Sequence, residues 1–436
     1  MLHRNRSEAK TESSIPPSGV KYSALLENST STPPDLPRLK LRLTPAAERA
    51  VRNGHPWVYA DRIKAQNREG VSGELAVLYD RDNRFLGAGF YDPLSPIRVR
   101  ILHMGKPIQI DDDWLRARLT VAMSHRADAF TNEQTNGYRC VNGESDGLPG
   151  LVLDRYHATA VVKVYTGAWF SRLDAIRKWL REDGRFTNAA LRLSRNIQQA
   201  AEALDFFDGQ TLLGNIGASP IVFLENGKRF EADPIKGQKT GFFLDQRDNR
   251  ELVGEKAAGA DVLNVFSHAG GFSVYAAAGG ARSTIDLDIS RHALDGACRN
   301  FALNQDLAGV RNCHHETAQA DAFAWLGEKS RGDRRYDVVI IDPPSFAMRQ
   351  AERDGALASY RTLIEFGLRL VKKRGLLVVA SCSAHVRADE FFALVRRVAE
   401  RDRRDCRELL TTGHPVDHPA TFPEAHYLKC SYVQVG

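Results

Sequence analysis

Apolar and polar positions follow three successive patterns along this chain. Between residues 38 and 106 they alternate over short stretches. Leu75-Ala76-Val77-Leu78-Tyr79, a polar turn at 80–83, and Arg84-Phe85-Leu86-Gly87-Ala88-Gly89-Phe90 predict a β-hairpin, with a further strand over 98–102. This segment reads as a small β-rich domain. Over 107–226 helical and strand periods interleave. Residues 112–130 have helical spacing, 151–156 should pair with 160–165, and a helix should run from Ser171, its cap, to Leu180. Asn226-Gly227 should turn a hairpin. This is a central α/β domain. From 227 to 436, and strictly from Asp261, strands and helices alternate. Apolar runs lie at 262–266, 282–288, near 313–317, 337–341 and 376–381. Runs without alternation mark strands covered on both faces, so the fold class is α/β with a doubly wound, Rossmann-like parallel sheet. A last strand over 427–435 is expected to close that sheet antiparallel. Residues 1–37 are rich in Ser, Thr and Pro and read as a disordered tail.

Composition narrows the class. At 436 residues the chain is long enough for two or three cores. No apolar run approaches the length needed to cross a membrane, and the first residues lack the apolar centre of a secretion signal. The six cysteines are scattered without a CxxC pair, as expected of reduced thiols in a cytoplasm. His314-His315, His414 and His418 fit no zinc spacing and read as surface or capping residues, so no metal is expected. The net charge of +6 is unevenly placed. Residues 38–106 hold thirteen Lys and Arg against seven Asp and Glu, which accounts for the whole excess. A locally basic module suits a polyanion such as RNA, and equally a solvated surface. The sequence leaves oligomeric state open, a homodimer included.

Candidate chemistry gathers at strand ends, where open α/β sheets hold ligands. Strand 262–266 leads through Ser267-His268-Ala269-Gly270-Gly271-Phe272 into a helix, a turn whose glycines let backbone approach a ligand. Asp288 ends the second strand, where a ribose-binding acid is expected; Asp321 follows the third, as a ligand or as a helix cap; Asp342 ends the fourth. Acids at successive ends, without GxGxxG, favour a phosphate-free cationic cofactor such as S-adenosylmethionine over NAD. Asp342-Pro343-Pro344-Ser345-Phe346 offers a carboxylate and fixed carbonyls. The next strand delivers Ser381-Cys382-Ser383. Cys382 is either a nucleophile for carbon-6 of a pyrimidine or a small buried cysteine. The run 236–247, with Lys239, Phe242, Phe243 and Asp245, either clamps the cofactor or packs into the core.

These residues, with Gly54-His55-Pro56-Trp57-Val58, Asp146-Gly147-Leu148-Pro149-Gly150-Leu151, Asp417-His418-Pro419 and Pro423-Glu424-Ala425-His426-Tyr427-Leu428-Lys429, resemble a known family. It is the PUA-domain class I methyltransferases that make 5-methylcytosine in large-subunit ribosomal RNA. The resemblance covers about residues 38–436 and implies an RNA-binding PUA barrel, a central domain and a catalytic domain using S-adenosylmethionine. It implies cofactor contacts at Asp245, Asn264, Phe266, Gly270, Gly271, Asp288, Asp321 and Asp342, base contacts at Asp342, Pro343, Pro344 and Ser345, and Cys382 as nucleophile. Many RNA cytosine methyltransferases carry a second cysteine where this chain has Ser345, so the base that completes the reaction stays open among Ser345, His385 and water. Rival readings are methylation of an exocyclic amine, which Asp-Pro-Pro-aromatic sites perform, and a non-catalytic RNA-binding assembly factor. A nicotinamide dehydrogenase lacks its glycine turn here.

Overall fold

In the computed structural model, which describes residues 37–436 apart from Asn132 and Met348, the three patterns become three main sheets joined by a hairpin. All of the tail but Pro37 lies outside the described residues. The first sheet contains β1 (Leu39–Leu43), β2 (Trp57–Tyr59), β3 (Ile63–Gln66), β4 (Leu75–Tyr79), β5 (Phe85–Tyr91) and β6 (Ile97–Met104), in the order β2-β6-β5-β4-β1-β3. Period two is explicit in β1. Leu39, Leu41 and Leu43 enter a core with Leu78 and Val99, while Lys40 and Arg42 face solvent. The expected hairpin is β4–β5.

The second sheet is β7 (Gly137–Asn142), β8 (Leu151–Tyr156), β9 (Thr159–Val164), β10 (Asn188–Leu193) and β11 (Thr211–Leu213), ordered β11-β10-β9-β8-β7. Helices Asp112–Ala127 and Leu173–Asp183 cover it through Leu119, Met123, Ile176 and Leu180. The second helix corrects one expectation. Ser171 is not its cap but lies in a preceding 3₁₀ turn, Gly167–Arg172, whose cap is Thr166. A hairpin of β12 (Ile221–Glu225) and β13 (Lys228–Ala232) turns at Asn226-Gly227, both with positive φ. Its Phe223 and Phe230 pack with Tyr156, Phe242 and Tyr275, joining the second sheet to the third.

The third sheet has seven strands: β14 (Asp261–Val265), β15 (Ser283–Asp288), β16 (His314–Gln319), β17 (Tyr336–Ile341), β18 (Val371–Ser381), β19 (Cys406–Thr412) and β20 (Lys429–Val435). Their order is β16-β15-β14-β17-β18-β20-β19. β14 to β18 are parallel and β20 is antiparallel to both neighbours. The direction of winding reverses between β14 and β17, which opens a crevice at their carboxyl ends. The last strand is antiparallel, but it does not close the sheet as the sequence suggests. It inserts beside β18 and leaves β19 as the edge. β19 escapes a sequence reading because it alternates exposed and half-buried positions without a continuous apolar run, as an edge strand does.

A buried ionic cluster holds the segment between β19 and β20 against the second sheet. The Asp417 carboxylate accepts from Arg139 N at 2.9 Å and from both terminal nitrogens of Arg247 at 2.8 and 3.1 Å. Arg126 donates to the Asp417 carbonyl at 2.9 Å and bidentately to Asp146. His418, predicted as a surface residue, is buried beside Asp417 at 3.2 Å. His315 is also no surface residue: it stacks on Phe301 and bonds to Asp286. The first sheet is stapled to the same segment. Trp57 meets Phe422 edge-on at 5.1 Å, His55 lies 3.3 Å from Glu424, and the Trp57 indole donates to Glu144.

Burial by itself would raise the Asp417 carboxyl, but His418 and Arg247 outweigh it and hold it far below the ordinary range. A depressed carboxyl stabilises the fold above its unfolded value, and the contribution is lost only as pH falls through the lower folded value. Asp417→Ala should therefore cost about 3–5 kcal/mol at neutral pH by stranding Arg247. Urea denaturation at pH 7 checks this, and a loss near zero would show that the cluster is not what holds the segment.

Candidate active site

At the switch point, four strand ends and two connecting segments surround one cavity of about 270 Å³. The β14 end contributes Phe266 and Ser267, the β15 end Asp288, the β17 end Asp342 to Pro344, and the β18 end Cys382. Lys239 and Asp245 come from the connection after β13, and Leu428 from the segment before β20. The turn after β14 is strained. Phe266 and His268 have φ of 62° and 48°, a region costly for side chains of that size. This places the Phe266 ring and Ser267 at the cavity.

The acids differ in state. Asp245 accepts from Lys239 Nζ at 2.8 Å and Tyr427 OH at 2.9 Å, both through Oδ2. Burial opposes its charge, but Lys239 and His418 prevail and hold it well below the usual carboxylate range. Its Oδ1 is buried with no partner, as is Ser267 Oγ. Asp288 accepts from the His268 and Ser290 amides, each at 2.9 Å. Asp342 goes the other way. Burial, then the charge of Asp245, pushes its carboxyl up to about 7. The cavity thus offers fixed negative charge plus two unpartnered oxygens that await donors. A ligand carrying an ammonium, a sulfonium and ribose hydroxyls fits that donor deficit.

Cys382 lies across from Asp342. Its thiol donates to the Pro343 carbonyl at 3.9 Å, tying the two loops together. Burial raises it to about 11, with Lys239 working against that rise. Ser345 is bonded to Ser383 Oγ at 3.1 Å, and Ser383 in turn to Tyr360 OH at 3.0 Å. Phe346 turns inward onto Tyr360, 5.1 Å between rings.

Not every sequence-predicted residue reaches the cavity. Asp245, Phe266, Gly271, Asp288, Asp342, Pro343, Pro344 and Cys382 line it. Asn264 is buried on β14, where its amide donates to Asp286 and Ser273. The positive φ of Gly270 serves helix packing, since a Cβ there would sit 2.7 Å from Ala297 Cβ. Asp321 caps the helix Ala322–Lys329 through the Ala324 amide. Ser345 sits just behind the Pro-Pro turn, beside Ser383. Sequence reasoning gives no role to Tyr427, Leu428 or Lys429, although all lie in a motif it singles out. Among the described residues no cluster of three or more His, Cys, Asp and Glu could hold a metal ion, and no helix is long and apolar enough to cross a membrane.

A crevice at the switch point of such a sheet, lined with acids and free of a phosphate-binding glycine loop, defines a class I transferase that uses a cationic nucleoside cofactor. Residues 172–393 match the S-adenosylmethionine-dependent methyltransferase family, and residues 41–104 match the PUA-like domain. The chain belongs to that methyltransferase family, with a PUA-like domain ahead of a Rossmann-like catalytic domain, and its cofactor is S-adenosylmethionine. It is 51% identical to a ribosomal RNA large subunit methyltransferase of Deinococcus radiodurans over 92% of this chain and 98% of that one. It is 34% identical to ribosomal RNA large subunit methyltransferase I of Shewanella amazonensis, over 90% and 98%. In fold it resembles SMU.776, described as a methyltransferase and solved with SAH, at TM-score 0.78 and 23% identity over 91% of this chain and all of that one.

The orphaned Asp245 oxygen generates a prediction. Asp245→Asn should weaken S-adenosylmethionine binding about 10- to 100-fold, the loss of one charge-assisted hydrogen bond of about 1.5–3 kcal/mol. Calorimetry measures it; unchanged affinity would place the cofactor elsewhere in the cavity.

Proposed function

We propose that this protein methylates carbon-5 of a cytosine in large-subunit ribosomal RNA, with Cys382 as nucleophile. The observation that carries the reading is one cavity lined by a thiol, Cys382, and a near-neutral acid, Asp342, on adjacent strand ends. The names of its relatives support the RNA substrate. The inward turn of Phe346 supports carbon over amine methylation, since the aromatic after the Pro-Pro turn is not placed to stack on a base.

The target cytosine leaves its stack at a cost of a few kcal/mol, least in looped RNA. Asp342, poised near 7, takes the thiol proton and passes it to ring nitrogen-3. The Cys382 sulfur bonds to carbon-6, and the ring electrons move to carbon-5. S-adenosylmethionine supplies the electrophilic methyl group when bound. Asp245, Ser267 and Asp288 hold that cofactor in place, and Pro343 and Pro344 present the base edge. Loss of the carbon-5 proton then restores the double bond and expels the Cys382 thiolate, which regains its proton from ring nitrogen-3 through Asp342. Ser345 is already engaged with Ser383, which leaves His385 or water to take the carbon-5 proton. The domain division at 38–106, 107–226 and 227–436 assigns RNA grip to the first and catalysis to the last. The protein works in the cytoplasm, where its six free cysteines stay reduced.

Cys382→Ala should abolish methyl transfer while S-adenosylmethionine still binds, and RNA with 5-fluorocytosine at the target should trap an adduct with the wild-type protein. Near-normal turnover by Cys382→Ala would sink the covalent mechanism in favour of amine methylation. The exposed cations of the first sheet give another prediction. Replacing Lys40, Arg42 and Lys64 by Gln should weaken RNA binding and reduce its salt dependence, by about 0.7 in log–log slope for each phosphate that is no longer neutralised. Filter binding at several salt concentrations reads both, and an unchanged slope would limit this face to a structural role.

A further inference from the structure

Lys429 is a buried cation without a carboxylate. It opens β20 opposite Ser381, and only 1% of it is exposed. A lysine at a strand end ordinarily reaches for water. This one turns beneath the loop after β18, where its Nζ donates to the Ser383 carbonyl at 2.7 Å and the Val386 carbonyl at 2.8 Å. Among the described residues no Asp or Glu lies within ion-pairing distance of it. Two carbonyls need donors, not a full charge. An amide would hold them at a smaller desolvation cost. The charge therefore calls for a second reason. Burial draws the lysine down to about 8, and Cys382 is the group that acts in the opposite sense.

We propose that Lys429 is a positioning residue for the nucleophile: its ammonium braces the Ser383 and Val386 carbonyls of the loop that carries Cys382 and, beside Lys239, adds a counter-charge to the thiolate. The proposal rests on the reading of Cys382 as nucleophile. Other charges also face that thiol. Lys239, from the connection after β13, favours the thiolate, while Asp342 at the end of β17 and Asp245 oppose it. Lys239 is already committed to Asp245 at 2.8 Å, and its side chain is partly exposed. Lys429 has no such competing anion, and the loop it braces is the one that carries Cys382. When the thiol ionises, its proton passes to solvent or to Asp342, and the lysine keeps its own.

The test reads alkylation of Cys382 by iodoacetamide in the full-length protein across pH, by mass spectrometry of the peptide that contains it. In the wild-type protein the rate should climb about tenfold per pH unit and then flatten into a shoulder that begins near pH 8. The shoulder arises because the lysine loses its proton there and the thiolate loses its partner. Ionisation of Asp342 also bends the profile, nearer pH 7, so the lysine's shoulder is the one that must vanish in Lys429→Gln. A single smooth ionisation with no shoulder overturns the proposal, and this measurement needs no variant to fold. Lys429→Gln keeps a donor and loses the charge. It should lower the rate at about pH 7.5 by tenfold or more, whereas Lys429→Arg should stay within about threefold of wild type. A folded Gln variant that alkylates like wild type also overturns it. Alkylation requires neither RNA nor cofactor. Normal turnover by Cys382→Ala would therefore remove the nucleophile reading alone and leave the lysine–thiol pairing to its own titration.

Discussion

The Asp417 carboxylate is the constraint on which the site depends. It binds a backbone amide of β7, the guanidinium of Arg247 on the helix Arg247–Glu255, and neighbouring His418. Three parts of the chain that are far apart in sequence are thereby fixed to one point. A buried anion tolerates this place because the hydrogen bonds and cations around it replace its lost water. From that point the chain runs to Tyr427, which bonds to Asp245, to Leu428 at the cavity, and to Lys429 beneath the Cys382 loop. One lining residue and the supports of two others therefore lie on a single segment that Asp417 anchors.

The acids of the cavity carry a second constraint. Asp245 and Asp342 face the same space, and two neighbouring carboxylates resist ionising together. Lys239 and His418, with a hydrogen bond from Tyr427, settle the conflict by keeping Asp245 charged, which leaves Asp342 to hold its proton near neutrality. One acid is thus held as a fixed anion, and the other titrates near neutrality. The same residue type at two depths of hydrogen bonding gives two chemistries.

What can be read from the sequence follows this physics. The strands β14, β15, β17 and β18 are legible because burial on both faces demands continuous apolar runs. Asp288 and Asp342 are legible because the topology fixes where their strand ends meet, whereas Asp321, after β16, caps a helix instead. β19 is not, since an edge strand can be polar on alternate residues and still pair. Resemblance puts Gly270 and Asn264 at the ligand, yet they act one layer behind it, closing helix against strand and holding Asp286. The histidines mislead for a different reason. His418 looks like a surface residue because its partner, Asp417, gains its meaning only through Arg139 and Arg247, which no local pattern connects to it.

The same segment gives the N-terminal sheet its bearing on the chemistry. Trp57 packs on Phe422 and bonds to Glu144, so the first sheet holds the 413–428 stretch from outside while the second sheet holds it from within. Aromatic edge contacts of this kind contribute about 0.5–1.5 kcal/mol beyond burial, enough to fix an angle between domains but not to weld them. That stretch ends, within a few residues, at Tyr427 and Lys429. Those two side chains bond to Asp245 and brace the Cys382 loop. The contact with the first sheet and the groups beside Asp245 and Cys382 thus lie on one short length of chain, whose upstream end is anchored at Asp417.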